Sequence, residues 1–239
     1  MRSVLRLSVL RLFGRSYPRS YGKAGRAVQI GRIVALVLAC AVAFAATAGA
    51  ADQPVRIVAL GDSLTAGLGL SRQDAFPAKL EAALRAKGIA VTIENAGVSG
   101  DTTSGGLARL DWSVPEGTDA VILELGANDA LRGLDPKAAR TALETIVKRL
   151  KARRIAILLA GMLAPRNLGA DYARAFDPIY PDLAAAHDLV LYPFFLDGVA
   201  ADRALNQGDG LHPTAAGVDA IVARILPKAE ELVARVKAR

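Results

Sequence analysis

Val55-Arg56-Ile57-Val58-Ala59-Leu60 runs straight into Gly61-Asp62-Ser63-Leu64. A short, largely apolar run closed by glycine reads as a buried strand that ends in a polar turn. The same pattern recurs downstream. Ala90 to Glu94 reads as a second strand, followed by Asn95-Ala96-Gly97. Ala120 to Leu125 reads as a third, followed by Gly126-Ala127-Asn128-Asp129. Ile155 to Ala160 and Val190 to Tyr192 supply a fourth and a fifth. Helical periods fill the gaps. Ala75 to Lys87 places Phe76, Leu80, Ala83 and Leu84 on one face and stops at Gly88. Asp135-Pro136 starts a helix that reaches about Ala152, with the acid as cap and the proline in the first turn. Ala170 to Ala186 reads as helical with interruptions near Pro178 and Pro181, and Thr214 caps a last helix ending near Val236. Strand and helix alternate throughout, which predicts an α/β fold: one parallel, five-stranded sheet covered by helices on both faces.

That pattern decides where a site belongs. Ligands of such sheets bind outside the carboxyl ends of the strands. Ser63, Gly97 and Asn128 follow the first three predicted strands, so the fold brings them to one edge. Far downstream stands Asp209-Gly210-Leu211-His212-Pro213. A serine hydroxyl is a weak nucleophile and needs a base. His212 is that base, and Asp209, three residues earlier, reaches its other ring nitrogen through a turn. Such a carboxylate fixes the tautomer and stabilises the imidazolium. The amides of Ser63 and Gly97 and the side chain of Asn128 are three donors for an oxyanion. The reading is a serine ester hydrolase with Ser63, Asp209 and His212 as catalytic residues. Activity is expected to fall in acid as the imidazole takes a proton.

The first 50 residues differ from the rest. They hold eight basic residues and no Asp or Glu, then an apolar stretch from Ile33 to Ala46, then Ala48-Gly49-Ala50. Basic segment, short apolar segment and small-x-small site read as a cleaved secretory signal peptide. The apolar stretch is about 14 residues, short of the roughly 20 needed to span a bilayer. Export to the periplasm or the medium follows, with no stable span in the processed protein. Cys40 offers a weaker, lipoprotein-like reading. Removing this segment leaves 22 basic against 23 acidic residues, so the net charge of +7 is no nucleic-acid footprint. The remainder, 51–239, is one domain without cysteine, which excludes a thiol nucleophile. Two histidines and no clustered ligand spacing point to no metal, and no phosphate loop or dinucleotide fingerprint points to no cofactor. His187 reads as a packing or surface residue, and Asp197 is a rival to Asp209 without a histidine at short spacing. Asp62 reads as structural.

Ser63, Gly97, Asn128 and His212, in that order, resemble the four motif blocks of the GDSL, or SGNH, hydrolases, with Asp209 completing the set. The resemblance covers Val55 to Val236. Asn95 to Thr103, Glu124 to Gly133 and Tyr192-Pro193-Phe194-Phe195 resemble the branch that contains bacterial acyl-CoA thioesterase I, lysophospholipase L1 and arylesterases. It implies a flavodoxin-like, three-layer αβα sandwich, and an acyl-enzyme on Ser63 that cleaves small-molecule esters or thioesters, lysophospholipid among them. It also implies no metal, a periplasmic location, and a segment at Ala130 to Asp135 that adjusts to substrate. A monomer is expected. Ala127 stands where thioesterase relatives often carry a second glycine, and the loop Thr65 to Leu70 is this chain's own; both border the acyl site. Two alternatives stay open: a carbohydrate O-acetylesterase of the same fold, and a non-catalytic flavodoxin-like binding module.

Overall fold

The computed structural model describes residues 53–239. The expected signal peptide and Cys40 lie outside the described residues. Five parallel strands form one sheet: β1 (Val55–Gly61), β2 (Val91–Gly97), β3 (Ala120–Glu124), β4 (Ala156–Ala160) and β5 (Val190–Tyr192), in the order β2-β1-β3-β4-β5. Every residue of β3 and β4 is buried, as expected of strands covered on both faces. The flavodoxin-like order is the one expected from the resemblance. It puts a topological switch between β1 and β3, where ligands of such sheets bind.

The helices follow in chain order: α1 (Ser63–Ala66), α2 (Phe76–Ala86), α3 (Thr103–Ala108), α4 (Leu110–Ser113), α5 (Ala127–Leu131), α6 (Pro136–Ala152), α7 (Ala170–Phe176), α8 (Ile179–His187) and α9 (Ala215–Lys237). α2 and α9 pack together on one face of the sheet; α6 packs with α3, α7 and α8 on the other. The caps are those the sequence chose. Asp135 accepts from the Lys137 amide at 2.9 Å, and Thr214 accepts from the Gly217 amide at 3.2 Å. Phe76 and Phe195 meet edge-on at 5.0 Å and tie α2 to the segment after β5.

Two expectations need correction. Asn95 to Gly97 do not follow the second strand but form its last three residues, because Gly97 pairs with Gly61. Pro181 does not interrupt a helix. It stands third in α8, where its missing N–H costs no intrahelical bond. The stretch 103–113, to which the sequence reading assigned no element, forms α3 and α4.

Register aligns the strand ends. Gly61 lies opposite Gly97 on one side and Glu124 on the other; Glu124 lies opposite Ala160, and Ala160 opposite Tyr192. Everything beyond these residues opens onto one rim.

Candidate active site

Three of the predicted site residues meet at that rim in a continuous chain. Ser63 Oγ lies 2.8 Å from His212 Nε2, although 149 residues separate them. His212 Nδ1 lies 2.6 Å from Asp209 Oδ2. A carboxylate only accepts, so Nδ1 carries the ring proton and donates it to Asp209, and Nε2 is left to accept from the Ser63 hydroxyl. The Asp209 loop is fixed by its own acid: Oδ1 accepts from the amides of Leu211 at 2.9 Å and His212 at 3.0 Å. The His212 amide and ring, with the Leu211 amide, hold the Asp209 carboxyl well below the usual carboxylate range. Asp209 therefore stays ionised far into acid. The rivals lie elsewhere: Asp197 pairs with Arg224, and His187 ends α8 near Glu144.

Ser63 is the first residue of α1, and Asp62 caps that turn by accepting from the Leu64 amide at 2.9 Å. Gly61 and Gly97 make the turn possible. A Cβ on Gly97 would stand 2.3 Å from the Ala66 nitrogen and 2.8 Å from the Asp62 carbonyl oxygen, so only glycine lets β2 approach α1 this closely.

Gly97 and Asn128, expected with the Ser63 amide as oxyanion donors, both lie against this turn with their N–H groups engaged. The Gly97 amide donates to Asn95 Oδ1 at 3.0 Å. Asn128 Nδ2 donates to Asp62 Oδ2 at 3.1 Å and to the Asp101 carbonyl at 2.9 Å. Among the described residues no side chain accepts from the Ser63 amide. Asp62, read from sequence as structural, thus both caps α1 and orients Asn128. Burial pushes its carboxyl up to about 6, and the Leu64 and Asn128 bonds offset part of that.

Sequence reasoning missed Arg109. It is buried in the loop joining α3 and α4, and its guanidinium donates to Asp101 at 2.6 Å, to the Ala96 and Gly61 carbonyls at 2.8 Å each, and to Ser113 at 3.0 Å. One side chain therefore ties together the residues just before Asp62 and Gly97. Among long stretches of arginine-bearing helix nothing in the sequence marks it. Arg109→Met strands the Asp101 carboxylate and both carbonyls in a site where the pair is only 8% and 13% exposed. The expected loss is about 3–5 kcal/mol of stability, read by urea unfolding.

An apolar cavity of about 540 Å3 opens beside Ser63 and His212. Leu64, Leu131, Met162, Leu163, Phe194 and Leu211 form its walls, and Arg166 stands at its edge. A larger hollow of about 750 Å3 runs along the open edge of β2 and touches neither Ser63 nor His212. Among the described residues no group of three or more His, Cys, Asp or Glu could hold a metal ion.

Comparison with known proteins decides the family. The model of the GDSL-like lipase/acylhydrolase family matches residues 59–220. The chain belongs to this family. It is an ester-cleaving hydrolase with the SGNH-hydrolase fold. Among GDSL relatives, esterase TesA of Pseudomonas aeruginosa is 36% identical over 209 residues, 87% of this chain and all of the relative. Thioesterase 1/protease 1/lysophospholipase L1 of Escherichia coli K12 is 40% identical over 167 residues, 70% of this chain and 77% of the relative. The crystal structure of AlinE4, an SGNH-hydrolase family esterase, is 49% identical with a TM-score of 0.64 and covers 75% of this chain and 96% of its own.

Proposed function

We propose that this GDSL hydrolase cleaves carboxylic esters and thioesters through an acyl-enzyme on Ser63. One observation carries the reading: the 2.8 Å contact of Ser63 Oγ with His212 Nε2, continued at 2.6 Å from Nδ1 to Asp209. Ser63 attacks the carbonyl carbon while its proton passes to Nε2. The imidazolium then gives that proton to the departing alcohol or thiol as the carbon–heteroatom bond breaks. Water, deprotonated by the same nitrogen, attacks the acyl-enzyme and releases the acid. Asp209 holds the ring in the tautomer each step needs.

The oxyanion takes its bonds from the Ser63 and Gly97 amides and from Asn128. A developing negative charge is a stronger acceptor than the neutral oxygens of Asn95 and Asp101. Binding in the transition state therefore displaces or shares those internal bonds, whereas a neutral ground-state carbonyl competes poorly for them. The exchange favours the transition state over the substrate. Asn128→Ala is expected to lower kcat by about 100- to 1000-fold with KM little changed, measured by steady-state hydrolysis of a p-nitrophenyl ester.

The cavity supports an apolar acyl chain. Its volume lies within the roughly 300–1000 Å3 of small-molecule sites, and its walls are leucine, methionine and phenylalanine. That lining favours acyl chains over an acetyl group on a glycan, and the aligned triad argues against a non-catalytic module. The names of the relatives, esterase, arylesterase and thioesterase/lysophospholipase, point the same way. The segment 1–50 is proposed as a signal peptide that sends the domain 51–239 to the periplasm or beyond, on its eight basic residues and short apolar run. Among the described residues no helix is long and apolar enough to cross a membrane.

A fluorophosphonate tests the core of the proposal. It should add its mass to the peptide carrying Ser63, and p-nitrophenyl esters of increasing chain length should turn over faster until the cavity is full. Labelling elsewhere, or none, would refute the acyl-enzyme.

A further inference from the structure

We propose that Glu124 is kept as a neutral carboxylic acid beneath the nucleophile turn, and that its neutrality leaves Asp62 free to hold Asn128 in place. The assignment of Glu124 as a positioning residue rests on the acyl-enzyme reading above; its protonation does not.

Glu124 ends β3, the strand between β1 and β4, and is 0% exposed. Its side chain folds across Gly61, where a Cβ would stand 2.6 Å from Oε2. Oε2 accepts from the Thr65 hydroxyl at 2.6 Å and lies 3.4 Å from the Asp62 amide. Both donors belong to the turn that carries Ser63. Oε1 is buried and has no partner. A carboxylate sealed from water needs a cation or several donors. Glu124 has only neutral donors, the Thr65 hydroxyl and amide and the long contact from the Asp62 amide, and no cation among the described residues.

Among the described residues no cation pairs with Glu124. Asp62, on the turn itself, adds a negative charge that raises Glu124 further. Arg109, the nearest guanidinium in the network, spends its donors on Asp101, Ser113 and the Ala96 and Gly61 carbonyls. Asp101 is thereby paired. From α5, Asp129 gives both oxygens to Thr103. From α8, Tyr180 donates its hydroxyl to the Leu125 carbonyl at 2.8 Å. His212 faces Ser63 and Asp209. Two adjacent buried carboxyls without a cation cannot both ionise cheaply. Asp62 has the better claim to the charge, since it accepts from the Leu64 amide and from Asn128 Nδ2. Glu124 keeps the proton, on Oε1, where no donor is displaced. Oε2 remains free to accept from Thr65 and Asp62.

The consequence is a pH limit built into the turn. Burial moves both acids up. A carboxyl raised in the folded state binds its proton more tightly there than in the unfolded chain. Its contribution to stability is fully present below the unfolded value, about 4.3 for Glu, and is lost as pH rises through the folded value. Once Glu124 ionises, it repels Asp62 and so disturbs the contact by which Asp62 holds Asn128.

Infrared spectroscopy of the whole protein at neutral pH should show the C=O stretch of a protonated carboxylic acid, absent from Glu124→Gln. That variant keeps the acceptor for Thr65 and cannot ionise. It should hold kcat within about threefold of wild type at pH 7, whereas Glu124→Ala should lose on the order of 100-fold, the cost of a displaced reacting group. The Tm of Glu124→Gln should gain on wild type as pH rises above about 4.3, the unfolded value, and its alkaline loss of activity should move to higher pH. A wild-type spectrum without the acid band overturns the proposal even where the variants fail to fold. So does Glu124→Gln falling as far as Glu124→Ala. Failure of fluorophosphonate to label Ser63 would instead sink the acyl-enzyme and leave the infrared result standing.

Discussion

Ser63→Ala is expected to lower kcat by on the order of 10^6-fold while the protein folds and binds substrate as before. The size follows from what the hydroxyl does. It is the atom of residue 63 that bonds His212, and without it the imidazole has nothing to activate at the acyl carbon. The small effect on folding follows from the turn. Ser63 opens α1, whose cap is supplied by Asp62 and whose close approach to β2 is supplied by Gly97, so alanine changes neither. The amides of residues 63 and 97 and the side chain of Asn128 remain, and they should leave a residual acceleration of about 10^3 to 10^4 over water. Three measurements together check the expectation: hydrolysis of a p-nitrophenyl ester, thermal unfolding, and the mass added by fluorophosphonate. A folded Ser63→Ala protein with more than about one hundredth of wild-type kcat would mean another nucleophile, since no lesser role of a hydroxyl accounts for a loss near 10^6.

The contrast between what could be read from the chain and what could not has a physical origin. Strands β3 and β4 were legible because a strand buried on both faces is apolar nearly throughout, and Ala-Ile-Leu-Leu-Ala leaves little else to propose. Asp135-Pro136 was legible because cap and first turn are local chemistry. The pairing of Asn95 to Gly97 with the end of β1 was not, since Asn and Gly disfavour strands and only the register with Gly61 holds them there. Likewise α3 carries Gly105 and Gly106, which weaken any helical pattern; its cap, Thr102 on the Gly105 amide, and its packing on α6 keep it.

The site divides along the same line. Ser63, His212 and Asp209 sit in short motifs where the type of side chain states the chemistry. The supports each reach a distant partner, Arg109 to Gly61 over 48 positions, Glu124 to Asp62 over 62 and Asp62 to Asn128 over 66, which no local pattern encodes. Glu124 did leave one trace: a carboxyl inside the apolar run Ala-Val-Ile-Leu-Glu-Leu, a residue type almost never fully buried without a partner. An acid at a strand end facing a predicted nucleophile turn is a signal that can be sought in other chains.

Asp209→Asn should cost about 10^4-fold in kcat, although it removes one charge at the protein surface and changes almost no volume. The reason lies in which acid oxygen does what. Oδ1 accepts from the Leu211 and His212 amides, and Oδ2 accepts from Nδ1–H. An asparagine has one oxygen. Two backbone donors hold it at the Oδ1 position, so the amide nitrogen must face the ring. That nitrogen can only donate, and Nδ1 must become the acceptor. The proton moves to Nε2 and points at the Ser63 hydroxyl, where the base should be. Geometry survives and the tautomer is wrong. Asp209 does not line the cavity, so KM should stay near wild type. Nitrogen NMR of the ring distinguishes this from simple loss of charge: wild type should carry its proton on Nδ1 and the variant on Nε2. Should the variant keep the wild-type tautomer and still lose four orders of magnitude, electrostatic stabilisation of the imidazolium, rather than orientation, would be what Asp209 supplies.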